Sequence, residues 1–196
     1  MTPFESNLTL LSAILGNRRD TNHKWFVSFG SLLYLIRDHK HGVPFNQDID
    51  ISYMGSDYDE VRHELMREGI QPVHKIVSDV DGNTLNEGFK FEDGMSLDIF
   101  TWLRKDDYLW HTYDFSMQHP ENGIPSKYHF KNIPAWMLDN QPCRYEFCYD
   151  EYTVIPKLYG TLLDYWYPGW IVPDPEFGTS HAQNILNIGG CQELCQ

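Results

Sequence analysis

The stretch Phe26–Tyr53 reads FVSFGSLLYLIRDHKHGVPFNQDIDISY, and its last residues decide the fold. Asp48, Ile49, Asp50 and Ile51 alternate carboxylate with aliphatic, the period of a strand whose two faces meet different surroundings. Both carboxylates then point into a cleft, and Ile49 and Ile51 point into the core. Two carboxylates this close repel each other unless a cation lies between them, and an all-oxygen donor set favours Mg²⁺ or Mn²⁺. Upstream, Lys24–Phe29 reads as a buried strand that Gly30 breaks. Ser31 is placed to cap a helix over Leu32–Asp38, with Leu32, Leu33, Leu35 and Ile36 as its apolar side. His39–Gln47, containing Gly42 and Pro44, is a loop.

Working outward, Asp57–Glu68 predicts a helix with Tyr58, Val61 and Leu65 inward and Gly69 as its stop. Gln71–Ser78 and Leu85–Glu92 flank the turn DVDGN as a hairpin. Ser96–Trp102 predicts a strand with one carboxylate, Asp98, among Leu97, Ile99 and Phe100. The N-terminal residues predict an amphipathic helix with Leu8, Leu11 and Leu15 on one face. Residues 104–150 are rich in His, Pro, Asn and aromatics with weak periodicity, which predicts long loops and short strands. Pro156, at an N1 position, opens a last helix over Lys157–Tyr165, followed by an irregular tail to residue 196.

The 196 residues fit one domain, 1–196, and with 41% hydrophobic and 15% aromatic residues the chain is globular. No apolar run approaches the roughly 20 residues of a membrane span. The first residues lack a basic segment ahead of their apolar stretch, so a cytoplasmic location is expected. Fifteen Lys and Arg against 28 Asp and Glu leave an acidic protein. That disfavours nucleic acid, whose binding rests on cations meeting phosphates, and also anionic membranes. The cysteines form two close pairs, Cys143/Cys148 and Cys191/Cys195; their loose spacing favours unrelated thiols over halves of a zinc site.

The order strand, Gly-Ser, helix, Asp-x-Asp strand, then a strand with a lone Asp assigns each part a physical task. A glycine at a strand end lets backbone approach a phosphate, and a helix N-terminus offers free amides and a positive dipole end. Asp48, Asp50 and Asp98 on neighbouring strands can hold one or two divalent ions, which polarise a phosphate and activate a hydroxyl. Asp79-Val80-Asp81 repeats the Asp-x-Asp pattern, but in a turn, where solvation accounts for it. Arg37 fits a phosphate contact or a surface ion pair, and Lys90 a solvated lysine. Trp102, Trp110, Tyr113, Trp166 and Trp170 could cage a quaternary ammonium or simply pack. His39, His41, His111 and His119 read as surface residues.

This constellation resembles the nucleotidyltransferase superfamily that includes DNA polymerase β. Within it, the details resemble the LicD and fukutin-related phospho-alcohol transferases. The matching residues are Gly30-Ser31-Leu32-Leu33, Arg37, Gly42-Val43-Pro44-Phe45, Asp48-Ile49-Asp50-Ile51, Leu97-Asp98-Ile99-Phe100, Pro156–Leu162 and Trp166-Tyr167-Pro168-Gly169-Trp170. The chain departs from the family at Asn46 and Gln47, where further acidic residues are usual, and at Tyr34, where a second glycine is usual.

The resemblance implies an α/β fold, a nucleotidyltransferase-like mixed sheet with helices on one face. It implies Asp48, Asp50 and Asp98 as metal ligands and catalytic residues, with Gly30, Ser31 and Arg37 on the donor's phosphates. Its reaction would move phosphocholine or a polyol phosphate from a CDP-linked alcohol to a hydroxyl of a glycan or similar acceptor. The same triad equally serves transfer of NMP from an NTP to a small molecule or protein, and a glycan-binding protein without turnover could keep the fold.

Overall fold

The computed structural model describes residues 1–16, 24–43, 45, 48–77, 82–112, 128–139, 142–148, 151–173 and 185–188. Helix α1 (Pro3–Gly16) begins with a reciprocal cap: Thr2 N donates to Glu5 Oε2 at 2.7 Å and Glu5 N to Thr2 Oγ1 at 3.2 Å. Its Phe4, Leu8, Leu11 and Leu15 are buried, the i, i+4, i+7 pattern of a helix covering a core.

Five strands form the main sheet: β1 (Trp25–Val27), β2 (Ile49–Tyr53), β3 (Gln71–Val77), β4 (Thr84–Lys90) and β5 (Ser96–Thr101), in the order β1-β2-β5-β4-β3. The β2–β5 pair is parallel and the other pairs antiparallel, so the sheet is mixed. The antiparallel hairpin β3–β4 is the one the sequence predicts; its turn, with Asp79 and Asp81, lies outside the described residues. Ile49, Ile51, Leu97 and Ile99 have no exposed surface, because the alternation of β2 and β5 puts all four on the core side. Helix α3 (Tyr58–Arg67) follows β2 and buries Tyr58, Val61 and Leu65, and Gly69 at φ 85° ends it.

Glu87 of β4 shares the core side and is buried. Tyr58 Oη donates to it at 3.0 Å and Arg62 Nε at 2.7 Å, which ties α3 to the sheet.

Residues 103–155 hold more regular structure than their weak periodicity suggests. β6 (Leu103–Lys105), β7 (Tyr108–Thr112), β8 (Tyr128–Pro134) and β11 (Ile185–Ile188) make a second sheet in the order β11-β8-β7-β6. β9 (Cys143–Cys148) and β10 (Glu151–Ile155) pair on their own. Cys143 and Cys148 end the same strand five positions apart, on opposite faces and roughly 17 Å from each other by strand rise, so they form no half-site for one ion. Cys191 and Cys195 lie outside the described residues.

Two helix starts differ from the sequence reading. The last helix, α4, spans Tyr159–Trp166 and not 157–165; Pro156 precedes it, its carbonyl accepting from Tyr159 N. Helix α2 spans Phe29–Leu33 with Ser28 as N-cap, and continues as a π-turn over Tyr34–Asp38. The strand before it therefore stops at Val27, and Ser31 lies inside the helix. The reason is tertiary: the Ser31 hydroxyl exchanges hydrogen bonds with Asp48 and Asp50 of the neighbouring strand segment. Among the described residues, no helix is long and apolar enough to cross a membrane.

Candidate active site

The parallel register of β2 and β5 pairs Ile49 with Leu97, Asp50 with Asp98 and Ile51 with Ile99. Both strands carry the same alternation, so aliphatics meet on the core side and carboxylates on the other. Asp48 stands just before β2, two residues from Asp50 and on its side. One carboxylate oxygen from each of Asp48, Asp50 and Asp98 lies within 4.8 Å of the others. The three aspartates named from sequence are thus brought together.

Helix α2 is locked across the start of β2. Ser31 Oγ accepts from Asp50 N at 2.8 Å and donates to Asp48 O at 3.2 Å, so one hydroxyl fixes the backbone on which both aspartates sit. The Gly30 and Ser31 amides, expected on a donor's phosphates, lie toward the Asp50 carboxylate and favour its charged form. Phe29, the first residue of α2, has φ 46°, a left-handed conformation that costs a side-chain-bearing residue about 1–2 kcal/mol. Its ring is held by Phe100, His111 and Trp166 at centroid distances of 4.9, 4.7 and 4.5 Å, with Trp102 stacked at 6.3 Å.

Burial pushes the Asp50 carboxyl well above the usual range, and the charges of Asp48 and Asp98 add to it; the Ser31 and Gly30 amides pull the other way. Burial, with the adjoining Asp48 carboxylate, pushes Asp98 up to about 7. The Asp48 carboxylate beside Asp98 disfavours a second negative charge there, which a bound cation would offset. The charged neighbours that shift these groups are one another, a cluster short of positive charge. An all-oxygen set of three converging carboxylates matches a hard divalent cation in donor type and in charge.

Arg37 is turned elsewhere. Its Nε and Nη2 form a fork on Asp38, each at 2.7 Å, and its Nη1 donates to Trp170 O at 3.0 Å. Lys90 is exposed at the end of β4. The tryptophans do not gather into one cage: Trp102 and Trp166 both rest on Phe29, Trp110 lies beside Tyr108, and Trp170 Nε1 donates to Asp164 at 2.9 Å. Tyr113 and His119 lie outside the described residues. His111, read from sequence as a surface residue, is buried in the Phe29 cluster because its loop assignment was wrong: it belongs to β7.

Sequence reasoning missed three residues beside the triad. Gly88 of β4 pairs with Asp98, and His74 of β3 pairs with Gly88, so Asp50, Asp98, Gly88 and His74 form a row across four strands. His74 Nε2 lies 2.9 Å from Asn86 Oδ1 and 3.8 Å from Asp98 Oδ1. A glycine inside an otherwise regular strand was the available signal, since it marks close approach of another group.

No protein-family model matches the sequence, and no curated protein matches it. Among solved structures, the fold is similar to the crystal structure of the lincosamide antibiotic adenylyltransferase LnuA, lincomycin-bound, with TM-score 0.46, 16% identity, and 89% of this chain and 90% of that chain covered.

Proposed function

We propose that the chain is a metal-dependent nucleotidyltransferase that moves NMP from an NTP to a hydroxyl of a small molecule, with pyrophosphate leaving. The observation that carries the reading is the convergence of Asp48, Asp50 and Asp98 on adjoining strands beside helix α2, whose Ser31 holds the β2 backbone. Asp48 and Asp50 would hold the cation that meets the donor's phosphates. Asp98 would complete the acceptor side and help take the hydroxyl proton. Bound there, Mg²⁺ or Mn²⁺ would polarise the attacked phosphate and neutralise developing charge. Ser31 and the Gly30 amide would keep both β2 aspartates in place as charge builds.

Phospho-alcohol transfer from a CDP-linked donor to a glycan hydroxyl is the second reading, and the family-like motifs favour it. Two features that would support it point elsewhere. Arg37 is committed to Asp38 and the Trp170 carbonyl, and Phe29 lies against Trp102 and Trp166, two of the indoles named for a choline cage. Neither observation bears on the triad, which serves both reactions.

The test is product analysis with Mg²⁺ or Mn²⁺, the four NTPs and a panel of hydroxyl-bearing small molecules, beside CDP-choline and CDP-ribitol. Cation-dependent pyrophosphate release that requires an acceptor and is lost in Asp48→Asn supports nucleotidyl transfer. CMP release from a CDP-alcohol, without pyrophosphate from any NTP, replaces it with the second reading. Binding of a glycan that survives Asp48→Ala, with no turnover of any donor, would make the chain a binding protein.

A further inference from the structure

On the side of Asp98 away from Asp50 the main sheet continues through β4 to β3. The cross-strand partner of Asp98 on β4 is Gly88, and beyond Gly88 stands His74 on the edge strand β3. Neighbouring strands lie roughly 4.8 Å apart, so His74 and Asp98 are separated by about two spacings, too far for side chains that stand upright from the sheet. Glycine at 88 removes the obstacle between them. The imidazole lies down over the Gly88 backbone: a methyl at that position would overlap His74 Cε1 and Nδ1 and stand 3.0 Å from Asp98 Oδ1.

The ring is also held in one orientation. Asn86, buried on the same side of β4, donates from Nδ2 to Ile99 O at 3.3 Å, which fixes its amide and turns Oδ1 toward His74. Oδ1 accepts only, so His74 Nε2 carries the hydrogen of the 2.9 Å contact. The same Nε2 stands 3.8 Å from Asp98 Oδ1, beyond hydrogen-bond length, so the ring meets the carboxylate by packing against it. The chain Ile99 carbonyl, Asn86, His74, Asp98 starts and ends on β5, so Asp98 is braced by its own strand.

We infer that His74 is a positioning residue for Asp98, and that Gly88 is glycine so that the imidazole can reach it. The inference rests on the metal-site reading of the triad. His74 limits the Asp98 carboxylate to the rotamer that converges with Asp48 and Asp50, and groups of this kind around a ligating carboxylate set its affinity for the ion.

The test is Mn²⁺ binding alone, measured by isothermal titration calorimetry on the full chain. It compares wild type with His74→Ala, His74→Gln, Gly88→Ala and Asp98→Asn, each checked for folding by circular dichroism. Expected are affinity losses on the order of 10-fold in His74→Ala and in Gly88→Ala, and recovery to within about threefold in His74→Gln, whose amide can again donate to Asn86. Gly88 has no positive φ, so the alanine variant displaces a side chain and leaves the backbone as it is. That variant carries the comparison if His74→Ala does not fold. Wild-type affinity in both His74→Ala and Gly88→Ala, beside a loss in Asp98→Asn, overturns the role of His74 and leaves the metal site standing. A loss in His74→Ala that His74→Gln does not recover, with Gly88→Ala like wild type, marks a packing effect and overturns it too. Equal Mn²⁺ binding by wild type and Asp98→Asn removes the metal site and this inference with it.

Discussion

Asp50 and Asp98 stand side by side in the parallel register of β2 and β5, each flanked along its strand by aliphatics that face the core. Parallel neighbours in register place like side chains next to each other, so one alternation written twice produces a cluster of charge that no described Lys or Arg offsets. The mutual repulsion of the three carboxylates and their burial work against their charged forms.

That cost sets a pH dependence. Asp98 is raised from the ordinary 3.8 to about 7. Between those values the folded state holds a proton that the unfolded state has released, so stability falls as pH rises through the window. Asp50 acts in the same direction. Metal-free wild type is expected to lose melting temperature relative to Asp98→Asn as pH rises from 3.8 to about 7, and Mg²⁺ to recover that loss in wild type only. Differential scanning fluorimetry across pH, with and without the ion, measures both.

Activity and stability should separate at the triad. Asp48→Asn, Asp50→Asn and Asp98→Asn each remove a ligand worth several kcal/mol in the transition state, a loss on the order of 10²–10³-fold in turnover. The same substitutions relieve repulsion, so metal-free melting temperatures should hold or rise. Parallel turnover and melting measurements on the three variants check this.

Ser31→Ala tests the clamp. It leaves the Asp50 amide and the Asp48 carbonyl without the hydroxyl they share, an expected destabilisation of about 1–3 kcal/mol. Urea denaturation gives the number. Restoration of stability by Ser31→Thr would assign the effect to the hydroxyl.

On the opposite side of the sheet, Glu87→Ala strips the buried partner of Tyr58 and Arg62 and should cost about 2–3 kcal/mol, less than a fully buried pair because Arg62 keeps some exposure. Chemical denaturation of Glu87→Ala, Arg62→Met and the double variant measures the coupling. Turnover per folded molecule should be unchanged, since Glu87 faces away from the triad.

The elements that position the triad were legible because their signal is local. Two runs of alternating aspartate and aliphatic, a glycine-stopped helix and a hairpin could be read residue by residue, and they correspond to β2, β5, α3 and β3–β4. Ser31 was misread because a serine after a strand fits an N-cap equally well; only its bonds to Asp48 and Asp50, 17 and 19 residues away, decide otherwise. His74 and Gly88 were invisible for a related reason. Their importance lies in the register of a hairpin and the order of strands, and neither is written in the residues themselves. The second sheet was hidden by weak alternation in β6–β8, and with it the placement of His111 under Phe29.

Whether Asp48, Asp50 and Asp98 form one cation site is decided by anomalous diffraction from a crystal soaked in Mn²⁺ with a non-hydrolysable NTP. An anomalous peak coordinated by all three carboxylates, with the α-phosphate against it, is expected. A peak elsewhere, or none with the nucleotide bound, would rule the site out.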